Sequence, residues 1–300
     1  MAATDVLSSS ARSVLAKLGA SVVSIGTDGR GSGLVIAAGR LLTNAHNLRD
    51  RTTLVTFADG SAAQGSLVGA DEDGDLVVLE VETGSTAPAT WAEGLPEAGD
   101  VVYAISRGGH RLRISFGMVS TVDVAFDGPR GRQVHGGVEH TAPLVRGSSG
   151  GPIADADGRV VGLNTHRTGR GFYVARPIDP ALRSTIEDLA AGKSVVRPRI
   201  GVALAPPEVA AKLRASVGLP PRDGLLVRGV EAGGPADNAG IAEGDLLGAA
   251  GDIPLTSIAA LHDALTGVGE TLTLTVVRGT EERTVVVQFT PKPEGEPKEG

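Results

Sequence analysis

Short apolar runs cut by Gly, Asp and Asn occupy the chain from about residue 20 to 180, and they restrict the fold more than any other feature. Ser21-Val22-Val23-Ser24-Ile25, Gly33-Leu34-Val35-Ile36, Arg40-Leu41-Leu42-Thr43-Asn44 and Thr53-Leu54-Val55-Thr56-Phe57 come first. Gly65-Ser66-Leu67-Val68-Gly69 and Asp75-Leu76-Val77-Val78-Leu79-Glu80-Val81 follow. Runs this short and this rich in β-branched residues read as strands. About six of them in roughly 60 residues have the spacing of a small closed barrel. Thr83 to Gly99 is turn-rich and carries Trp91. The strand pattern then resumes from Val101-Val102-Tyr103-Ala104-Ile105 to Gly171-Phe172-Tyr173-Val174-Ala175. A second six-stranded barrel fits, which makes the architecture duplicated without any repeat in residue identity.

The flanks read differently. Residues 1–19 form an N-terminal arm in which Ser8 to Leu18 is expected to be a short helix capped by Ser10. Asp179-Pro180 opens a helix with Asp as its cap, and Gly192 ends it. Residues 20–192 are thus expected to form one unit, with barrels over about 20–95 and 98–180. A linker follows at 193–199. Residues 200–290 form a separate unit of two helices and about five strands, and the Pro/Glu/Lys-rich 291–300 is expected to be disordered.

Composition removes several classes of function. The net charge is −7 with no basic block, so no nucleic-acid partner is expected. There is no cysteine, which removes disulfides, thiolate metal sites and cysteine catalysis. No apolar run approaches the roughly 18 residues of a membrane span. No signal peptide is recognisable at the N-terminus. The expected location is cytoplasmic if the sequence is complete, or the cell envelope or periplasm if a signal or anchor has been removed. No cofactor or metal is implied.

Gly147-Ser148-Ser149-Gly150-Gly151-Pro152 can present a nucleophilic serine on a tight turn, with backbone N–H groups aimed at a developing oxyanion. Such a serine needs a base. Of six histidines, His46 follows a strand directly. His140 competes because it lies near Ser149 in sequence, but it sits inside a strand of the same barrel. It and His110, His135, His166 and His262 are expected to be solvated. In Asp71-Glu72-Asp73-Gly74-Asp75 the last residue leads into an apolar strand, so Asp75 is expected to be carried under the barrel edge as the orienting acid, with Asp71 and Asp73 in a solvated turn. A calcium loop fails because Leu76 stands where an EF-hand needs glycine.

With these residues in hand, the chain resembles the HtrA (Deg) family of chymotrypsin-like serine proteases. The matching pieces, in family order, are Gly31-Ser32-Gly33-Leu34-Val35-Ile36, Leu42-Thr43-Asn44-Ala45-His46, Asp75-Leu76-Val77-Val78-Leu79, Gly117-Met118-Val119-Ser120 and Gly147-Ser148-Ser149-Gly150-Gly151-Pro152. The resemblance implies a mainly β fold: a double six-stranded β-barrel followed by a C-terminal PDZ domain. It implies His46, Asp75 and Ser149 as catalytic residues and Gly147, Ser148 and Ser149 as the oxyanion hole. It also implies unfolded or damaged proteins as substrates and a possible homotrimer, although the usual aromatic trimer contacts are missing from residues 1–20. An inactive or switch-gated chaperone, or a PDZ peptide-binding scaffold, is the alternative.

The specificity pocket is expected to rest on Pro143, Leu144 and Val145. No carboxylate stands there, so a small or medium apolar side chain is expected before the scissile bond. Departures from the family pattern are Thr141 for Asp, Val145 for Asn and Arg146 for Pro, and Ser106-Arg107-Gly108-Gly109-His110 lacks the usual Phe. Arg107, Arg111, Arg113, Arg130, Arg132, Arg146, Arg167 and Arg170 surround the cleft. They form either a solvated rim or an electropositive one that selects acidic substrates or couples the Asp123–His135 loop to the site. In the C-terminal unit, Arg199, Ile200, Gly201 and Val202 resemble the carboxylate-binding loop of a PDZ domain, with Ile200 and Val202 expected to face the last residue of a bound peptide C-terminus. Ser257 to Leu265 would be its groove helix.

Overall fold

A computed structural model describes residues 3–128, 133–169, 171–195, 197–266 and 268–289. The chain divides into two compact units, one ending at Val195 and the other starting at Val196. The first opens with helix α1, Ala3–Leu18. It starts earlier than the expected Ser8 and runs through Ser10, so Ser10 is not its cap; the Ser9 hydroxyl, inside the helix, donates to the Val6 carbonyl at 2.8 Å. Val14 and Leu18 are fully buried, so the arm is a packed element of the unit.

Strands β1 (Val22–Ile25), β2 (Gly31–Ala37), β3 (Arg40–Thr43), β4 (Thr52–Thr56), β5 (Ala62–Asp71) and β6 (Leu76–Glu80) close into a barrel in the order β1-β2-β3-β6-β5-β4. Strands β7 (Val101–Ser106), β8 (Arg113–Asp127), β9 (Gln133–His140), β10 (Pro152–Ala154), β11 (Val160–Gly169) and β12 (Phe172–Pro177) close a second barrel in the order β10-β11-β12-β9-β8-β7. Helix α2, Pro180–Ala190, follows, with Asp179 capping the Leu182 N–H at 2.6 Å.

The strands read as continuous apolar runs for a definite reason. Successive side chains point to opposite faces, and here both faces are covered. Val23, Val35, Leu41 and Val77 fill the first barrel, while Val102, Ala104, Val138 and Ile153 fill the second. Their neighbours Val22, Leu34, Leu42 and Val78 point outward and meet Tyr103, Ile105 and Leu163 of the second barrel. Leu182, Ile186 and Leu189 of α2 and Val14 and Leu18 of α1 close the same cluster. Fully burying each such side chain stabilises by about 1.5–3 kcal/mol. The seam between the barrels is therefore a hydrophobic core in its own right.

Several polar residues also enter this interior. Arg107, placed on the cleft rim from sequence, is instead buried: its Nε donates to the Val22 carbonyl at 2.7 Å and its Nη2 to the Gly19 carbonyl at 3.1 Å. Burial lowers the pKa of its guanidinium, but an arginine keeps its charge at any working pH. Asp71, expected in a solvated turn, is also buried and accepts the Gly74 N–H at 2.9 Å. Arg130, Arg132, Arg170 and residues 291–300 lie outside the described residues.

The second unit holds β13 (Val202–Ala205), α3 (Pro207–Ser216), β14 (Leu225–Val230), α4 (Pro235–Asn238), β15 (Leu246–Ala250), β16 (Ile253–Pro254), α5 (Ile258–Ala264), β17 (Thr271–Arg278) and β18 (Glu281–Gln288). Its sheet runs β13-β14-β15-β17-β18, which puts β13 on an edge. Buried Asp245 holds Arg278 at 2.7 Å and Arg283 at 3.1 Å. Among the described residues, no helix is long and apolar enough to cross a membrane.

Candidate active site

Strand β3 ends at Thr43, and a 3-10 turn over Ala45–Asn47 lifts His46 to the mouth of the first barrel. Asn44 is buried and donates from Nδ2 to the Asp75 carbonyl at 2.9 Å, which ties this turn to the β5–β6 connection. Asp75 has φ +57°, a left-handed conformation that aspartate tolerates better than most residues. The residue is 2% exposed, and its carboxylate is held by three donors. The His46 N–H lies 3.0 Å from Oδ1, His46 Nδ1 2.7 Å from Oδ2, and Thr165 Oγ1 2.8 Å from Oδ2. A carboxylate accepting from Nδ1 fixes the tautomer and leaves the Nε2 lone pair as the base.

Ser149 stands on the opposing barrel, in a loop bound to the first. Gly147 and Gly150 adopt φ +86° and +82°, the left-handed region that favours glycine. A Cβ on Gly150 would collide with the Ser32 carbonyl oxygen. The Ser149 carbonyl accepts from the Ser32 N–H at 2.8 Å and from Asn47 Nδ2 at 2.9 Å. The Ser32 hydroxyl donates to the Gly147 carbonyl at 2.7 Å and accepts from the Arg107 N–H at 2.9 Å. Among the described residues, the N–H groups of Gly147 and Ser149 have no internal acceptor. Ser148 does not belong with them: its N–H closes a turn onto the Val145 carbonyl at 3.2 Å. Ser149 Oγ donates to the Thr165 carbonyl at 3.4 Å and has no hydrogen bond to His46 among the described residues. Contacts of this kind often tighten only when substrate binds.

Behind Ser149, His140 is fully buried, contrary to the solvated setting expected for it. Its Nε2 lies 2.9 Å from Asn164 Oδ1, and its ring stacks on Tyr173 at 5.9 Å. Asn164 in turn donates to the Gly151 carbonyl at 3.0 Å, and its own carbonyl accepts the Gly150 N–H at 2.8 Å. Burial pushes the His140 pKa down to about 4, with the Asn164 hydrogen bond opposing part of that fall. His140 is therefore a neutral strut under the Ser149 loop.

A cleft of about 480 Å³ opens beside Ser149. Leu144, Val145 and Tyr173 give it apolar surface, and Arg30, Arg146 and Arg167 give it charge. Pro143 does not line it. That residue is exposed, and its carbonyl accepts from Ser115 Oγ at 2.6 Å.

Comparison with known proteins shows the family of the chain. A trypsin-like peptidase domain matches residues 31–163 and a PDZ domain matches 226–278. The putative serine protease HhoA of Synechocystis is 32% identical over 281 residues, covering 87% of this chain and 70% of its own. The chain belongs to the HtrA family of serine proteases. The probable periplasmic serine endoprotease DegP-like of Bartonella henselae is 31% identical over 89% of this HtrA chain, which spans only 54% of that relative. Two solved structures share the fold. The HtrA-type protease AlgW with decapeptide has TM-score 0.64 and 22% identity over 94% of this chain and 99% of its own. The serine endoprotease from Yersinia pestis has TM-score 0.62 and 24% identity over 92% and 96%.

This HtrA chain is thus a serine endopeptidase with a trypsin-like domain and a PDZ domain. In the PDZ domain Arg199 is exposed, Gly201 has φ +77°, and Val202 begins edge strand β13. Ile200 is buried in the same core as Leu261 and Leu265, with Val202 packed against it, so Ile200 is mainly a core residue. Sequence reasoning gives no role to Thr165, Ser32 or Asn164. The signal available for two of them is the polar pair Asn164-Thr165 at the end of the apolar run Val160–Leu163.

Proposed function

We propose that this HtrA protease cleaves unfolded or damaged proteins through an acyl-enzyme formed at Ser149. The observation that carries the reading is the His46–Asp75 pair at 2.7 Å, with the carboxylate buried, across the seam from a serine whose N–H is free. Ser149 Oγ attacks the peptide carbonyl carbon as its proton passes to His46 Nε2. The oxyanion is held by the N–H groups of Gly147 and Ser149. The C–N bond then breaks, and His46 returns the proton to the departing amine. Water activated by the same imidazole hydrolyses the ester. Asp75 and Thr165 keep the ring oriented throughout.

The apolar surfaces of Leu144, Val145 and Tyr173 support a small or medium apolar side chain before the scissile bond. Edge strand β13 and the Arg199–Val202 loop support capture of peptide C-termini by strand addition. Assembly as a homotrimer is part of the same proposal, and light scattering should return about three times the 30.3 kDa chain mass. A fluorophosphonate should label the protein at Ser149, and Ser149→Ala should abolish both labelling and casein cleavage. Casein cleavage that survives Ser149→Ala would sink the mechanism. A gated enzyme is the second reading, favoured by the Ser149 hydroxyl turned onto Thr165. In that case labelling rises when a peptide with a free C-terminus is added.

A further inference from the structure

The cleft beside Ser149 is basic in a chain whose net charge is −7. Arg30, Arg146 and Arg167 line it, and no Asp or Glu is among its lining residues. Arg146 is exposed next to Gly147 and has no ion-pair partner among the described residues. The Arg167 guanidinium lies over the Tyr173 ring, 5.6 Å from its centroid, and among the described residues its one acceptor is the Gly169 carbonyl, 3.0 Å from Nε. Among the described residues, the one ion-pair partner of Arg30 is Asp28, 3.5 Å from Nε, and the buried Nη1 of Arg30 has no acceptor. The nearest acid on the adjoining strand, Glu139, follows the alternation of β9 onto the face opposite His140 and Tyr173 and is engaged by the Thr168 hydroxyl at 3.0 Å.

Arg146 and Arg167, with no ion-pair partner among the described residues, leave the cleft able to attract an anion, and guanidinium groups match a carboxylate's two oxygens. We infer that this cleft is also a carboxylate subsite: Leu144, Val145 and Tyr173 take the stem of a substrate glutamate or aspartate, and Arg146 and Arg167 take its charge. The inference rests on Ser149 being the nucleophile beside which substrate lies. It goes beyond the apolar preference by ranking an acidic side chain above its neutral isostere.

The test uses the full chain and peptides blocked at both ends, so that no free C-terminus engages the PDZ domain. The peptides differ only in one Glu, Gln, Val or Lys within an alanine–serine background. Mass spectrometry identifies the cleaved bond. Cleavage after Glu should exceed cleavage after Gln by about fivefold in kcat/KM at low salt, and the ratio should shrink towards one near 0.5 M NaCl. Arg167→Gln and, separately, Arg146→Gln should lower the Glu-to-Gln ratio. The Ser149→Ala protein, titrated with fluorescent versions of the same peptides, should show the same ranking in Kd without catalysis. A Glu-to-Gln ratio of one in both assays, or a ratio unmoved by either arginine substitution, overturns the inference. If Ser149 resists labelling while the Kd ranking holds, the catalytic reading fails and the subsite stands.

Discussion

Replacing His140 by phenylalanine isolates the energetics of a buried neutral imidazole. Phenylalanine keeps a ring against Tyr173 but removes the donor to Asn164 Oδ1. At pH 7.5 the variant should therefore be less stable by about 1–3 kcal/mol, the usual cost of stranding a buried polar group. The pH dependence discriminates further. In the unfolded chain His140 takes a proton near 6.5, whereas in the native protein it does so only near 4. Between these values the unfolded state binds more protons, so native stability rises with pH. The wild-type advantage is complete above about 6.5, is lost progressively as pH falls, and is exhausted near 4, a swing of roughly 3 kcal/mol. The substituted phenyl ring cannot titrate, so the gap between the two proteins should close by that amount from pH 7.5 to 4. Trp91 is the only tryptophan and pairs with Val160 beside the seam core, so its fluorescence reports unfolding of this unit alone. Urea titrations at pH 7.5, 6, 5 and 4 should show the two midpoints converging by about 1–2 M. Curves that stay parallel over the whole range would refute the assignment of a buried neutral imidazole.

Asp75→Asn should lower kcat by about 10³–10⁴ while leaving the near-ultraviolet circular dichroism of the unit intact, because an amide favours the wrong imidazole tautomer; a loss below tenfold contradicts the role given to Asp75. Gly150→Ala forces a Cβ onto the Ser32 carbonyl in left-handed backbone, so fluorophosphonate labelling at Ser149 should be lost, and wild-type labelling rates would count against the geometry of the loop. Arg107→Met should destabilise by about 2–4 kcal/mol by stranding the Val22 and Gly19 carbonyls, and an unchanged melting temperature would show that the buried guanidinium does not tie these segments together.

The double barrel is legible in the sequence because its strands are short, β-branched and separated by obligatory turns. His46 and Asp75 are marked in the sequence by the apolar strands β3 and β6 beside them, and Ser149 by the glycine-rich turn that holds it. What the sequence does not disclose is carried by contacts between distant positions. His140 looks solvated on a polar strand end, but its partner Asn164 lies 24 residues away on β11, and only the pairing of β9, β12 and β11 brings them together. Arg107 looks like one of many loop arginines, since nothing local marks the two carbonyls that bury it. Pro143 is placed by its distance before Ser149, and that distance does not record which way the loop faces. Ser148 groups with its neighbours in sequence, but the turn itself consumes its N–H.

Ser32 has a consequence beyond positioning. It belongs to one barrel, yet its backbone and hydroxyl hold the Ser149 and Gly147 carbonyls of the other. Neither half of the unit thus supplies by itself every hydrogen bond that shapes the Ser149 loop. The shape of that loop is therefore tied to the docking of the two barrels. A chain divided within the Thr83–Gly99 connection would stay silent as two pieces and regain turnover only on reassembly, which would make the enzyme a reporter of its own seam.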